Sequence, residues 1–505
     1  MRIKHQNENK NTSQNDPRKI HRASMKKIFP WFLIVLLFIP CFVQAQNLRE
    51  DPRIKSAINL LEMWVQAQVD FERIAGISMS VVHDQELIWA RGFGYSDIAS
   101  KKATNEKTIY SICSISKLFT SVGILQLRDR GLLRLDDPVE KYLSWFDIKQ
   151  KYEHSPPITI EGLLTHSSGL PREADFPYWT EASFPSREQM IDHLSNQETL
   201  YPARKQFQYS NLALSLAGEI ISKVSGIPYA EYMKENILKP LGLSDTTPDI
   251  PVEKQKGQLA TGYGSFKRDG TRPEMPFYTV NGIAPAAGFA STVVDLGKFA
   301  SWQFRLLEKN GNELLAANTL RDMHRVHWLN QDWTSRNGLG FAVWRDKEKT
   351  FVGHGGSCPG YLSHLLLQPE EKIAAVFMTN SRSVSSRMYT QMAYDVMQPI
   401  IKEVQKSPDK AKTPNPEWEM YTGLYERPLG GESHVIFWQG ELATISLPTE
   451  NPLRSLTKLK HEEGHVFSRV RDDGEEGTPV TFEVDENGKV LRMWSTVNYS
   501  IKVNK

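Results

Sequence analysis

Tyr110-Ser111-Ile112-Cys113-Ser114-Ile115-Ser116-Lys117 leads into an apolar run that ends near Gly131. The run predicts a helix, and Ser114 and Lys117, three residues apart, then share one face of it. At a helix N-terminus the dipole and the free N–H groups stabilise negative charge on a serine oxygen. A buried lysine beside that serine has a lowered pKa and can take its proton. The pair predicts a nucleophile and its partner, although Ser-x-x-Lys also occurs by chance as an ordinary helix cap.

A second motif, Tyr209-Ser210-Asn211, precedes a predicted helix that runs from about Leu212 to Ser225 and stops at Gly226. Tyr209 brings an ionisable oxygen, and the amide of Asn211 can orient a lysine or a substrate carbonyl. A structural explanation is a buried tyrosine followed by an asparagine N-cap.

A third motif, Gly353-His354-Gly355-Gly356-Ser357, precedes a predicted strand. Glycines at the start of a strand let another chain or a substrate approach the backbone closely. A plain glycine-rich turn would have the same composition.

Two hairpins lie far apart in the sequence. One joins strands at 77–82 and 87–91 after a predicted helix at 47–75, and the other joins 361–367 and 373–379. Antiparallel strands from both ends of a segment, with helices between them, predict one sheet closed by distant parts of the chain.

The C-terminal part has a different pattern. Residues 401–417 are charged and rich in proline, which predicts a linker. Short strands with glycine turns follow, at 434–438, 442–447, 466–470, 480–484 and 490–494. They predict a small all-β domain at 418–505.

The bulk composition limits the function classes. The chain has 505 residues, 61 basic and 59 acidic side chains and three cysteines. The balanced charge gives no reason to expect a nucleic-acid partner, and three cysteines exclude a disulfide scaffold. The sequence shows no cysteine or histidine spacing typical of a metal site, so we expect neither a metal nor another cofactor.

The N-terminus predicts export. Residues 1–24 are polar and can be a mis-assigned start, with Met25 as the true start. Met25-Lys26-Lys27, an apolar run to Val43 and small residues ending at Ala45 form the pattern of a signal peptide at 25–45. The alternative is a membrane anchor, but the apolar run is shorter than a membrane-spanning helix needs to be. We expect a periplasmic or extracellular protein that meets the membrane only through this segment.

Together, the three motifs resemble those of the serine β-lactamase and penicillin-binding protein superfamily, in their order and spacing. Within that superfamily, they resemble the branch that includes class C β-lactamases, D-alanyl-D-alanine carboxypeptidases and related esterases. Further similar stretches are Gly131–Val139, Ile158–Pro171, Pro240–Leu243 and Ala287–Thr292. The resemblance covers about residues 50–400, within a predicted domain at 47–400, and the tail from Trp418 resembles a lipocalin-like domain.

The resemblance implies an α+β fold, with an antiparallel sheet flanked by helices, an all-helical subdomain and the β-rich tail. It implies that Ser114 forms an acyl-enzyme, that Lys117 and Tyr209 share the general-base work, and that Asn211 positions the substrate. Gly355, Gly356 and Ser357 would line the substrate site with His354, and the backbone N–H groups of Ser114 and Ser357 would form an oxyanion hole. Which of Lys117 and Tyr209 is the base stays open.

His354 departs from the lysine of class C β-lactamases, and with an ordinary pKa of about 6.5 it is mostly uncharged at pH 7.5. The sequence therefore favours an amide, D-amino peptide or ester as substrate over a lactam. A class C β-lactamase and a non-catalytic penicillin-binding-like regulator remain alternatives. Ala203 also departs from the family, in which glycine is usual.

Three further residues lie in or beside the motifs and are given no catalytic role. His166, in a serine- and glycine-rich turn, is predicted to be structural. Cys113 and Cys358 flank two motifs, so they can lie close together; free thiols are favoured over a disulfide, but pairing stays open. The partner is a small-molecule or peptide substrate, and the oligomeric state is undetermined.

Overall fold

The central feature of the computed structural model is an antiparallel sheet of nine strands in the order β3-β2-β1-β13-β12-β11-β10-β9-β8. The structure describes residues 48–333, 336–407 and 410–503, so the predicted signal peptide lies outside the described residues. The strands before the tail are β1 Gly76–His83, β2 Glu86–Asp97, β3 Lys102–Ala103, β4 Tyr110–Ser111, β5 Ala290–Ser291, β6 Asn312–Glu313, β7 Leu315–Ala316, β8 Trp328–Leu329, β9 Arg336–Asn337, β10 Ala342–Asp346, β11 Lys349–Cys358, β12 Tyr361–Gln368 and β13 Ile373–Thr379.

The two ends of this region meet at the centre of the sheet. Ile77 of β1 pairs with Thr379 of β13, and β12 pairs with β13 on its other side. Both predicted hairpins are therefore confirmed, and so is the closure of the sheet by distant segments. Strand β13 is buried throughout, because alternate side chains enter two different hydrophobic clusters on the two faces.

Helices cover both faces of the sheet. They are α1 Pro52–Phe71, α2 Ser116–Asp129, α3 Ile160–Leu164, α4 Tyr178–Glu181, α5 Arg187–Leu194, α6 Asn211–Ser225, α7 Tyr229–Met233, α8 Val252–Gln258, α9 Ala284–Ala287, α10 Val293–Lys309, α11 Ala317–His324, α12 Ser386–Lys406 and, within the tail, α13 Pro452–Ser455. Helix α1 is shorter than the predicted 47–75, because Asp51 caps it, with Pro52 in the first turn, and Arg73 takes a left-handed conformation after its end.

The tail is a closed antiparallel barrel of eight strands. They are β14 Gly423–Glu426, β15 Glu432–Trp438, β16 Glu441–Leu447, β17 Leu456–Glu463, β18 Val466–Val470, β19 Glu476–Val484, β20 Val490–Ser495 and β21 Asn498–Lys502. The predicted all-β tail is confirmed, and three strands, β14, β17 and β21, are added to the five expected. These three are mostly polar or short, so their sequences lack a strong alternating pattern.

Helix α1 lies between the sheet and the barrel. The Trp64 indole N–H donates to the backbone oxygen of Thr449 at 2.8 Å, and the Ser56 hydroxyl donates to that of Phe437 at 2.9 Å. The barrel residues Ala443 and Ile445 belong to the same buried cluster as α1. The sheet region and the barrel are thus parts of one compact unit, Asn47–Lys505.

The predicted linker at 401–417 is only partly irregular. Helix α12 continues to Lys406 because Ile400, Ile401 and Val404 are buried in the cluster that α1 also enters. Pro416–Tyr421 then forms a 3-10 helix that leads into the barrel. Within the described part of the chain, none of the helices has the length and apolar character needed to cross a membrane.

Candidate functional site

Ser114 lies in a 3-10 turn, Cys113–Ile115, directly before α2, as the sequence predicts. The turn is fixed by its neighbours: the Ser116 hydroxyl donates to the Cys113 carbonyl oxygen at 2.5 Å and accepts from the Phe289 backbone N–H at 3.0 Å. Strand β4 pairs with β5 through Tyr110 and Ser291. The stretch Ala287–Thr292, noted in the sequence for its resemblance, therefore supports the segment that carries Ser114.

Lys117 is fully buried, and its Nζ has three oxygen neighbours. It lies 3.2 Å from Ser114 Oγ, 2.8 Å from Asn211 Oδ1 and 2.8 Å from the backbone oxygen of Ala286. Burial lowers the pKa of Lys117 to about 7, against an opposing effect of the Glu173 carboxylate. The lysine is thus available in its neutral form near physiological pH.

The second motif reaches the same place from the start of α6. Ser210, not Asn211, is the N-cap: its Oγ accepts from the Ala213 N–H at 2.9 Å. Asn211 is the first residue of the helix, which leaves its side chain free to contact Lys117. The prediction that an asparagine cap could explain this motif is therefore wrong.

Tyr209 is packed among aromatic and cationic groups. Its ring lies 4.9 Å from Lys117 Nζ, and the His166 ring centroid is 4.4 Å from its own. Burial raises the pKa of Tyr209 to about 12, and a hydrogen bond with Ser114 opposes that rise. Tyr209 is therefore a neutral phenol at ordinary pH, within hydrogen-bonding reach of the candidate nucleophile.

His166 contributes to the shape of the site. It is 4% exposed, and its Nδ1 accepts from the Ser210 backbone N–H at 3.1 Å. Burial lowers its pKa well below the ordinary value. These contacts fit the structural role predicted for it.

The third motif lies on β11 and brings a strand against the serine. A side chain at Gly356 would meet the Ile112 carbonyl oxygen at 2.2 Å, so only glycine lets β11 approach the Ser114 segment. His354 and Gly355 lie on the same strand, and the His354 ring centroid is 6.3 Å from that of Tyr209. Burial and the neighbouring Lys117 lower the pKa of His354 to about 4. The structure thus gathers every predicted site residue around Ser114.

Cys113 and Cys358 form a disulfide, which corrects the expectation of free thiols. Their Cα atoms are 5.8 Å apart because β11 ends beside the turn that carries Ser114. The bond joins the residue before Ser114 to the residue after Ser357. It ties together the two segments from which the oxyanion hole is predicted.

Three charged residues at the site were not predicted from the sequence. Glu173 binds Asn211, and the Arg172 guanidinium carbon lies 5.0 Å from the Tyr209 ring centroid. Both follow Pro171, the end of a stretch already noted for its resemblance. Arg382, just after β13, donates to Ser357 Oγ at 2.5 Å, and nothing in its local sequence indicates this position.

Comparisons with known proteins agree with this geometry. The family described as Beta-lactamase matches residues 61–395. Beta-lactamase-like protein 2 of Dictyostelium discoideum is 26% identical over 388 residues, which cover 74% of this chain and 69% of that protein.

Two solved structures share the fold. The octameric penicillin-binding protein homologue from Pyrococcus abyssi has a TM-score of 0.60 and 25% identity, and the match covers 88% of this chain and 100% of that one. A D-stereospecific amidohydrolase from Streptomyces has a TM-score of 0.55 at 22% identity, with coverage of 68% and 98%; this likeness shows the fold alone. With the family matched over most of its length, and with its sheet, helices and clustered motifs in place, this chain belongs to the beta-lactamase family.

Proposed function

We propose that this protein is an exported serine hydrolase that cleaves an amide, a D-amino peptide or an ester through an acyl-enzyme. The observation that carries the proposal is the contact of a buried Lys117 with Ser114 Oγ at 3.2 Å. A serine becomes a nucleophile when a neighbouring base accepts its proton, and the buried Lys117 is placed to be that base.

The contacts of Lys117 favour it over Tyr209 as the base. A neutral amine has two hydrogens, and the oxygens of Asn211 and Ala286, both at 2.8 Å, can accept them. The remaining lone pair then faces Ser114. Tyr209, with its pKa raised to about 12, keeps its proton and is suited to pass one to the leaving group.

In the proposed reaction, Ser114 Oγ attacks the substrate carbonyl carbon while its proton moves to Lys117 Nζ. The tetrahedral oxyanion is held by the backbone N–H groups of Ser114 and Ser357. Collapse expels the amine or alcohol, which takes up the proton by way of Tyr209. Water then attacks the acyl-enzyme with the same groups in reverse roles and releases the acid.

The charges at the rim support a substrate that carries a carboxylate. Arg382 contacts Ser357, and Arg172 lies over Tyr209, so two permanent cations border the site. Peptides that end in a D-amino acid carry such a carboxylate beside the scissile bond.

Arg382 also bears on the class C β-lactamase alternative. A neutral His354 would weigh against lactams only if it left the site without a permanent cation. Arg382, which follows β13, supplies a cation beside Ser357 of β11, so His354 alone does not argue against lactam binding. Whether the enzyme turns over peptides or lactams then depends on how fast water hydrolyses each acyl-enzyme.

The test is intact-mass spectrometry with a fluorophosphonate and with a penicillin, on the wild type and on Ser114→Ala. We expect one adduct on the wild type and none on the folded variant, with loss of ester turnover. An adduct that persists in Ser114→Ala would move the nucleophile elsewhere. A wild type that is neither labelled nor active would favour the non-catalytic regulator.

Export is tested separately by N-terminal sequencing of the protein from a cell that expresses the full chain. We expect the extracytoplasmic form to begin after Ala45. An uncut chain in the cytoplasm would refute the proposal of export and leave the chemistry unaffected.

A further inference from the structure

A small cavity of about 20 Å³ borders the segment that supports Ser114. Ala287, Gly288 and Ala290 of that segment line the cavity, and so does Ser111 of β4. No candidate catalytic residue is among its described lining residues, so it is distinct from the site around Ser114. A cavity needs at least about 10–15 Å³ to hold one water molecule, so this one is sized for a single small ion or molecule.

A carboxylate without a cationic partner lines this cavity. Asp249 is partly buried, and the hydrogen bond that its side chain accepts comes from the backbone N–H of the next residue, Ile250, at 2.9 Å. Within the described part of the chain, Asp249 forms no ion pair, and no lysine, arginine or histidine lines the cavity. Burial raises the pKa of Asp249 to about 7. A carboxylate removed from water in this way is costly unless an opposite charge accompanies it.

Two neutral oxygens share the wall with Asp249. Gln255 is 3% exposed, and its Nε2 donates to the backbone oxygens of Ile250 and Tyr278, both at 2.7 Å. These contacts fix the amide, and its Oε1 receives no hydrogen bond from the residues that the structure describes. The hydroxyl of Ser111 contacts only the sulfur atoms of the disulfide among those residues. The wall therefore offers three oxygens that can still accept or ligate.

The other titratable groups of the described wall are two phenols. The hydroxyl of Tyr278 donates to the Pro359 backbone oxygen at 3.0 Å, and that of Tyr361 donates to the Ala260 backbone oxygen at 2.6 Å. Burial raises the pKa of both tyrosines, so both stay neutral. Asp249 is thus the one charge among the described lining residues. A single negative charge beside neutral oxygens suits a monovalent cation, since calcium sites gain their affinity from several charged ligands.

We propose that this cavity binds a monovalent metal cation, sodium or potassium. The carboxylate of Asp249 holds the ion, and Gln255 Oε1 and Ser111 Oγ supply neutral oxygen ligands. The bound ion joins the segments 249–255 and 276–280 to the segment that supports Ser114. Because the ligands are oxygens, such a site has none of the cysteine or histidine spacing that marks other metal sites in a sequence. The site does not depend on the proposed hydrolase activity.

The test is calorimetric measurement of Tm for the full chain at pH 8, with choline chloride replaced stepwise by sodium or potassium chloride at constant ionic strength. Choline is too large for the cavity and serves as the inert cation. We expect a saturable rise in Tm of roughly 2 °C or more with at least one of the two metal ions, because a ligand that binds only the folded state stabilises it. The ion with the larger effect is the preferred one, and calcium chloride at a few millimolar should have a smaller effect than either.

Asp249→Asn should abolish this rise. In choline alone its Tm should equal or exceed that of the wild type, because an amide replaces a carboxylate that has no partner. The matched control is Asp269→Asn, at an exposed carboxylate that accepts from Thr271 and does not line the cavity; it should respond as the wild type does. The wild type at pH 5.5 gives a second measurement. Asp249 is protonated there, since its pKa is raised to about 7, and the effect of the metal ion should disappear.

Three results would overturn the proposal. The first is a wild-type Tm at pH 8 that responds to neither sodium nor potassium. The second is a response that persists in Asp249→Asn or at pH 5.5, which would place the ion elsewhere. The third is a larger response to calcium that Asp249→Asn removes, which would make this a divalent site. Every readout is a stability, so the test fails or succeeds apart from the proposed function of Ser114.

Discussion

Glu173 holds Asn211 with both of its carboxylate oxygens, each 2.9 Å from Asn211 Nδ2. The amide is thereby oriented, because a carboxylate can accept only from the nitrogen, which leaves Oδ1 to face Lys117. The Glu173 carboxylate also accepts from the Tyr178 hydroxyl. A residue that contacts neither Ser114 nor the expected substrate position thus sets the orientation and the charge around the base.

Glu173→Gln should shift the acid limb of the kcat/KM profile to lower pH, by about one unit. The carboxylate raises the pKa of Lys117, so its removal lets the lysine lose its proton more easily. The profile should be measured on a neutral ester. Glu188→Gln, at an exposed carboxylate, is the control and should leave the limb in place. A limb shifted upward would contradict this role for Glu173.

In the wild type, kcat/KM for a neutral ester should rise as pH increases through about 7 and level off above it. The reason is that Lys117 must lose its proton before it can accept one from Ser114. Because the pKa of His354 is lowered to about 4, His354 stays neutral between pH 5 and 8. His354→Gln should therefore keep the same acid limb, whereas a limb lost in this variant would assign the titration to the histidine.

Lys117→Ala and Tyr209→Phe should each slow acylation severely, and the double variant should be little slower than the slower single one. The two side chains act on one proton transfer, so their effects are not additive. Rapid-quench measurement of acylation by a nitrophenyl ester gives the three rates. Independent, multiplying effects would show that the two groups do not cooperate.

Reduction of the Cys113–Cys358 disulfide should lower both stability and turnover. The bond closes a loop of 245 residues, and such bonds typically contribute about 2–4 kcal/mol to the free energy of unfolding. It also joins the segments that flank the proposed oxyanion hole, so kcat should fall more than KM changes. Urea unfolding and ester kinetics of Cys113→Ala/Cys358→Ala test this, with reductant on that double variant, which should change nothing further, as the control. Wild-type kinetics in the double variant would show that the bond is only structural.

Removal of the barrel by a truncation near Pro408 should leave the catalytic groups in place but destabilise what remains. The truncated chain exposes the face of α1 that packs on Ala443 and Ile445, and it loses the Trp64 and Ser56 hydrogen bonds to the barrel. We expect a Tm lowered by several degrees with kcat on a small ester retained, as measured by calorimetry and initial rates. An inactive but folded truncation would mean that the barrel completes the site.

The sequence predicts the elements whose apolar residues recur with a simple period, such as the hairpins β1–β2 and β12–β13. It also predicts the site residues that the three motifs carry. It could not predict Arg382, because only the sheet order, in which β12 pairs with both β11 and β13, brings the end of β13 and that arginine close to Ser357. It could not decide the disulfide, because cysteines 245 residues apart give no local signal. The proposal of Lys117 rather than Tyr209 as the base also needed three dimensions, since burial shifts the pKa of both groups and the oxygens of Asn211 and Ala286 contact Lys117 alone.

The pairing of Ile77 with Thr379 has a consequence for how the chain matures. Strand β1 leaves the ribosome early, but its neighbour in the sheet is made only after roughly three hundred more residues, and such distant pairings form slowly. Until β13 is made, β1 pairs only with β2, and the central strand pair of the sheet is missing. Late formation of this strand pair suits the proposed export, because a secretion channel passes chains that are still unfolded.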